Sequence, residues 1–135
     1  MAKDEAYIID LCDRVVGRVA SRQHRFDFLR GDSGYRLPVD AYYADLKLVV
    51  EYRERQHSGP VAFWDKKPTA SGVPRSLQRS RYDQRRRDVL PRNGIELVEL
   101  CHVDFKCNSR TRLLRVAEDD ERVVREKLSR WIDGR

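Results

Sequence analysis

The sequence predicts an α/β fold, α+β-like in its order of elements: α-β-β-β-α-β with an added C-terminal helix. Three observations predict it. Residues 4–19 repeat apolar side chains at helical spacing, and residues 25–53 contain three short runs of period two. Two further helical segments, 76–90 and 118–132, flank a last strand at 95–100. At 135 residues the chain suits one domain, 1–135, which would bury roughly 70% of the surface its unfolded form exposes.

The first helix follows from Tyr7 or Ile8, Leu11, Val15 and Val19, which return to one side every third or fourth residue. Phe26 and Phe28 alternate in the first strand, and Gly31-Asp32-Ser33-Gly34 supplies turn residues before the second. Residues 35–43 and 46–53 then pair antiparallel. The alternation sends Leu37, Val39, Ala41 and Tyr43 to one side and Arg36, Asp40 and Tyr42 to the other. In the next strand Leu48, Val50 and Tyr52 oppose Val49, Glu51 and Arg53. Residues 57–76 hold Gly59-Pro60, Pro68, Gly72 and Pro74, too many breakers for more than a short piece near Val61 to Trp64. The second helix has Ser76 as N-cap, Tyr82, Val89 and Leu90 on its buried side, and a stop near Pro91 and Gly94. The last helix begins Glu118-Asp119-Asp120-Glu121 and turns basic later, in agreement with the helix macrodipole. Val124, Leu128 and Trp131 or Ile132 form its core stripe.

Composition narrows the function classes. A net charge of +6 with 37% charged residues favours a polyanionic partner. No apolar run reaches membrane length and the N-terminal residues lack a signal-peptide core, so a cytoplasmic location is expected. Cys12, Cys101 and Cys107 are odd in number and lack CxxC spacing, which fits reduced thiols; a zinc site with His102 is the lesser alternative.

The chemistry concentrates at Asp40 and Glu51, placed near the ends of two paired strands with ten residues between them. A strand apolar on both faces until a carboxylate interrupts it is central, and a buried charge there needs a partner. Mg²⁺ suits the pair, since it takes one or two carboxylates and fills its octahedron with water and phosphate oxygens; Mn²⁺ is expected to substitute. Salt bridges from Arg53, Arg22 or Arg25 are the alternative partners.

Asp40, Glu51 and the basic Arg53 together resemble the signature of the PD-(D/E)XK nucleases, and His57 extends the resemblance to the small Vsr-like (very short patch repair type) endonucleases. Glu5 with Ile8 and Ile9, Arg22-Gln23-His24, Val39-Asp40, Tyr82-Asp83 with Arg86, and residues 95–104 follow that branch in order, covering roughly residues 5–105. The resemblance implies a restriction-endonuclease-like core and Mg²⁺-dependent hydrolysis of DNA. Asp40 and Glu51 would hold the metal, His57 would act as general acid or base, and Arg53 would bind phosphate. Glu5, or alternatively Asp10, would supply an early-helix carboxylate. Arg53 stands where the superfamily has lysine, and Arg53-Glu54 where these relatives often have Asp-Gly.

Candidate DNA contacts are Arg22, His24, Lys66, Lys67, Arg75, Arg79, Arg85 and Arg86, with seven arginines against two aspartates between Arg75 and Arg92. Phe63 and Trp64 could stack on bases or pin their loop to the body. Two other readings compete with the nuclease: a noncatalytic nucleic-acid-binding module on a degenerate nuclease fold, and a basic protein that recognises an acidic partner.

Overall fold

The computed structural model describes residues 3–54 and 75–132. The chain runs α1 (Lys3–Val16), β1 (Ser21–Arg30), β2 (Arg36–Tyr43), β3 (Leu48–Arg53), α2 (Arg75–Arg92), β4 (Glu96–Cys101) and α3 (Ala117–Lys127). It is an α+β arrangement in which one mixed sheet, ordered β1-β2-β3-β4, carries helices on both faces. The first three strands are antiparallel. β4 returns parallel to β3 after the chain crosses through α2. No helix among the described residues is long and apolar enough to cross a membrane.

α1 forms because Asp4 and Glu5 favour its positive N-terminal end while Ile8, Leu11, Cys12, Val15 and Val16 share a buried side. It stops sooner than its apolar spacing predicts. Gly17 adopts φ +72°, and the amides of Gly17 and Arg18 both donate to the Asp13 carbonyl at 2.9 and 3.1 Å. Val19, expected in the stripe, is therefore past the helix and 88% exposed. The Asp13 carboxylate accepts from the Ala20 amide at 3.1 Å and the Tyr43 hydroxyl at 2.6 Å, which fixes the entry into the sheet.

Two cores result. On one face α1 and α3 cover Tyr43, Leu48, Val50 and Leu100, with Val124 supplied by α3 and Leu128 by the residue that caps it. On the other, α2 brings Leu90, Tyr82 and Val89 onto Phe26, Leu29, Val39 and Val49. Burying a side chain such as Leu90 contributes about 1.5–3 kcal/mol, which matters for a helix otherwise crowded with arginine.

Several boundaries move. β1 starts at Ser21, four residues before its predicted start, because Ser21, Arg22 and His24 pair with Tyr42, Ala41 and Val39 although they lack an apolar alternation. Residues Ala44–Leu46 form a 3₁₀ turn closed by Lys47 at φ +50°, so β3 begins at Leu48. α2 continues through Pro91 to Arg92; its end is closed by Asn93 and Ile95 amides on the Leu90 carbonyl and by Gly94 at φ +75°. α3 gives way at Leu128 to a 3₁₀ turn over Ser129–Trp131.

The largest departure lies in β2. Leu37 and Val39 belong to the α2-side core, whereas Ala41 and Tyr43 belong to the α1-side core. The alternation therefore breaks at Asp40. β1 breaks at the same level: Gln23, between the pairs Arg22–Ala41 and His24–Val39, has φ +52°. Arg22 consequently reaches Asp10 and Asp13 on α1, while His24 packs edge-on against Phe26 and at a tilt against Tyr42 on the α2 side. β3 keeps the predicted alternation, with Leu48, Val50 and Tyr52 towards α1 and Val49 towards α2.

Candidate active site

The β2–β3 ladder pairs Tyr43 with Leu48, Tyr42 with Val49 and Ala41 with Val50. Continued by one step, it would pair Asp40 with Glu51. Side chains take over there instead. The Asp40 amide donates to Glu51 Oε2 at 2.5 Å, and the Tyr52 amide donates to Asp40 Oδ2 at 2.7 Å. Backbone amides that lose their ladder partners must find others, and these carboxylates supply them. The strands thus part around two acidic groups, of which Glu51 is only 3% exposed.

Glu5 joins them from α1. Its Oε2 accepts from Gln23 Nε2 at 2.9 Å, and its carboxyl shares a hydrogen bond with Asp40. The break at Gln23 and Asp40 allows this meeting, because it brings a residue of the α1 side beside one of the α2 side. Asp10, the alternative early-helix carboxylate, is held by Arg22 at 2.7 Å.

Crowding is visible in the acidities. Burial, then the charge of Asp40, pushes Glu51 from 4.5 up to about 7. Burial, then the charge and hydrogen bond of Asp40, does the same to Glu5, again to about 7. Asp40 is raised by burial against the lowering effects of the Tyr52 amide, Arg53 and Arg86. Three carboxyls this close favour protons, or another cation, over full ionisation.

Arginines frame the α2 side. Arg53 donates twice to Glu99, at 3.0 and 2.8 Å, pairs with Asp83 at 2.8 Å, and lies 3.5 Å from Glu51 Oε1. Arg86 donates to the Pro38 carbonyl at 2.8 Å and Asp83 at 3.1 Å, and lies 3.7 Å from Glu51 Oε1. Arg87 binds Glu99 with both arms, at 2.8 and 2.9 Å. Burial raises the Glu99 pKa, but the bonds from Arg87 and Arg53 outweigh it and leave it lowered.

Asp40, Glu51, Arg53, Glu5 and, from the candidate DNA contacts, Arg86 thus come together. The other candidates lie apart. Arg22 serves α1; His24 accepts or donates at 2.9 Å with the Ser21 hydroxyl. Arg85 is tied to the Arg30 carbonyl and Asp32, and Arg79 also has an internal contact. Arg25 donates to the Arg36 carbonyl. His57, Lys66, Lys67, the Val61–Trp64 piece and the Arg75 side chain lie outside the described residues.

Sequence reasoning passed over Glu99, Gln23 and Arg87 as site residues. Glu99 had a readable signal: a carboxylate inside an apolar strand run needs a cation on its own face. Gln23 stands in the Arg22-Gln23-His24 run, but its bond to Glu5 depends on a positive φ that only the paired strands impose.

The donor chemistry suits a hard cation, as carboxylate oxygens are what Mg²⁺ accepts. Among the described residues no group of three or more His, Cys, Asp or Glu side chains is arranged as a metal cage, so a site built here rests on the Asp40–Glu51 pair. Comparison with known proteins finds no matching family model, no matching curated protein and no matching solved structure.

Proposed function

We propose that the chain is a metal-dependent DNA endonuclease of the restriction-endonuclease-like type, hydrolysing phosphodiester bonds at the Asp40–Glu51 split. The observation that carries the reading is the reciprocal arrangement in which each carboxylate holds a backbone amide across the parted strands, with Glu5 against Asp40. Supporting it are the element order α-β-β-β-α-β and the +6 charge.

Asp40 and Glu51 would hold Mg²⁺, or Mn²⁺ in its place, and the ion when bound would polarise the scissile phosphate and acidify water. The two backbone amides fix the orientation of both carboxylates before substrate arrives. Glu5, with a pKa near 7, is able to exchange a proton at neutral pH, as His57 is by its ordinary chemistry. Arg53, saturated by Glu99, Asp83 and Glu51, serves first to hold the acidic wall in place; its charge favours a nearby phosphate.

The engagement of Arg53 favours a second reading, a DNA-binding module whose site no longer cuts. Incubation of supercoiled DNA with Mg²⁺, Mn²⁺ or EDTA separates the two. Cleavage that needs metal and disappears in Asp40→Asn and Glu51→Gln, both still folded by circular dichroism, supports the nuclease. Metal-independent binding without cleavage supports the module, and nicking that survives both substitutions removes this site from the mechanism.

A further inference from the structure

A second surface lies beside the carboxylates. His24, Phe26, Phe28 and Tyr42 form a ladder of rings on the α2 face. Centroids are 4.6 Å apart for His24–Phe26, 4.9 Å for Phe26–Phe28 and 4.7 Å for Phe26–Tyr42. The ladder ends outward on β1, an edge strand, where Phe28 is 41% exposed. Packing of the fold accounts for Phe26, which is buried, but not for a further ring stacked on its outer side within 22° of parallel.

The flank of α2 turned towards β1 is basic. Arg85 reaches the Arg30 carbonyl from this flank, and Val89 packs into the cluster that contains Phe26. A shallow groove of about 430 Å³ along it is lined by Arg81, Arg85 and Arg92, with Asp88 the one carboxylate and itself bonded to Gln84 at 3.0 Å. Arg81 and Arg92 are both exposed. Rings on a sheet edge beside a cationic groove combine the two elements that hold single strands: platforms for bases and charges for phosphates.

We infer that the Phe28 end of the ring ladder and the Arg81–Arg92 groove together bind single-stranded DNA. Duplex DNA keeps its bases stacked inside and offers the groove only phosphates, whereas an unpaired strand can also place bases on the rings. The ladder starts at His24, next to the Gln23 that holds Glu5, so a strand lying on it leads to the Asp40–Glu51 split. The choice of DNA rests on the nuclease reading above; the binding itself does not require cleavage.

Fluorescence anisotropy of the full chain with labelled oligo(dT) of about 15 nucleotides, in EDTA, tests the inference. Phe28→Leu, which keeps apolar bulk and removes the ring, should weaken oligo(dT) binding about fivefold or more and leave duplex binding unchanged, while Phe28→Trp should retain both. Arg81→Gln with Arg92→Gln should lower the log-log salt slope by about 0.7 for each lost single-strand contact. Wild-type affinity of Phe28→Leu for oligo(dT), equal loss on oligo(dT) and duplex, or tighter binding of oligo(rU) than oligo(dT) would each overturn it. Because metal is absent, failure of the nuclease reading appears only in the cleavage assay and leaves this result separate.

Discussion

Glu51 gives the sharpest quantitative consequence of the buried carboxylates. Its pKa is raised from 4.5 to about 7, so the folded state holds a proton that the unfolded state has released between those values. The stabilisation is fully present below pH 4.5 and is lost as pH rises through about 7. The side chain is 4% exposed, so solvent screening does not dilute the effect, and the pKa difference corresponds to about 3 kcal/mol. Glu5, more exposed, adds in the same direction. Glu51→Gln keeps an oxygen for the Asp40 amide and removes the titration. Urea denaturation in EDTA at pH 4.5 to 8 should therefore show the wild type losing about 3 kcal/mol more than Glu51→Gln. Titrations outside the Glu5–Asp40–Glu51 cluster are common to both proteins and cancel, while relief of Asp40 in Glu51→Gln acts in the same direction as the loss of the Glu51 titration. Adding Mg²⁺ at pH 8, to about a hundredfold its Kd, should return about 2.7 kcal/mol to the wild type and little to the variant. Parallel stability curves for the two proteins would refute the account of a buried, proton-holding Glu51.

The remaining expectations concern single contacts and the pH profile. Arg53→Lys should leave measurable cleavage, because a cation survives, yet lower stability by about 2 kcal/mol in thermal melts, since an ammonium does not span Glu99, Asp83 and Glu51 together. Tyr7→Phe should cost about 1.5–3 kcal/mol in denaturant titration, as it strips the 2.6 Å hydroxyl bond from the buried Asp120. Gly31→Ala should destabilise by about 1–3 kcal/mol, because the new Cβ would stand 2.8 Å from Tyr82 Oη and 3.1 Å from Leu37 Cδ2. His57→Ala should remove most of the cleavage activity together with a titration expected at roughly pH 6–8; a rate profile unchanged in that range would leave proton transfer to other groups such as Glu5.

What could be read in the sequence follows from how local each signal is. Ile8, Leu11 and Val15 announce α1 by spacing alone, and Leu48, Val50 and Tyr52 announce one face of β3. The start of β1 could not be read that way, since Ser21 to His24 owe their strand conformation to pairing with β2 and their side chains to α1 and Tyr42. The exchange of faces in β2 needs Gln23 and Asp40 opposite one another, residues far apart in the chain. Within the site, Asp40 and Glu51 stood out because carboxylates interrupt apolar runs. Which arginine answers which acid was not legible: Arg86 is one of seven arginines in α2, and only the docked helix selects it, with Arg87, for the sheet.

The split between β2 and β3 gives the molecule two built-in reporters. In an ordinary ladder an amide proton is protected from exchange with solvent by a carbonyl, whose strength as an acceptor hardly depends on pH. The amides of Asp40 and Tyr52 are protected by ionisable groups instead. Their exchange with deuterium is thus coupled to the charge on Glu51 and Asp40, and to anything that draws those oxygens away. Two backbone resonances thereby register the arrival of a cation at the carboxylates with no substrate present, separating occupancy of the site from its turnover.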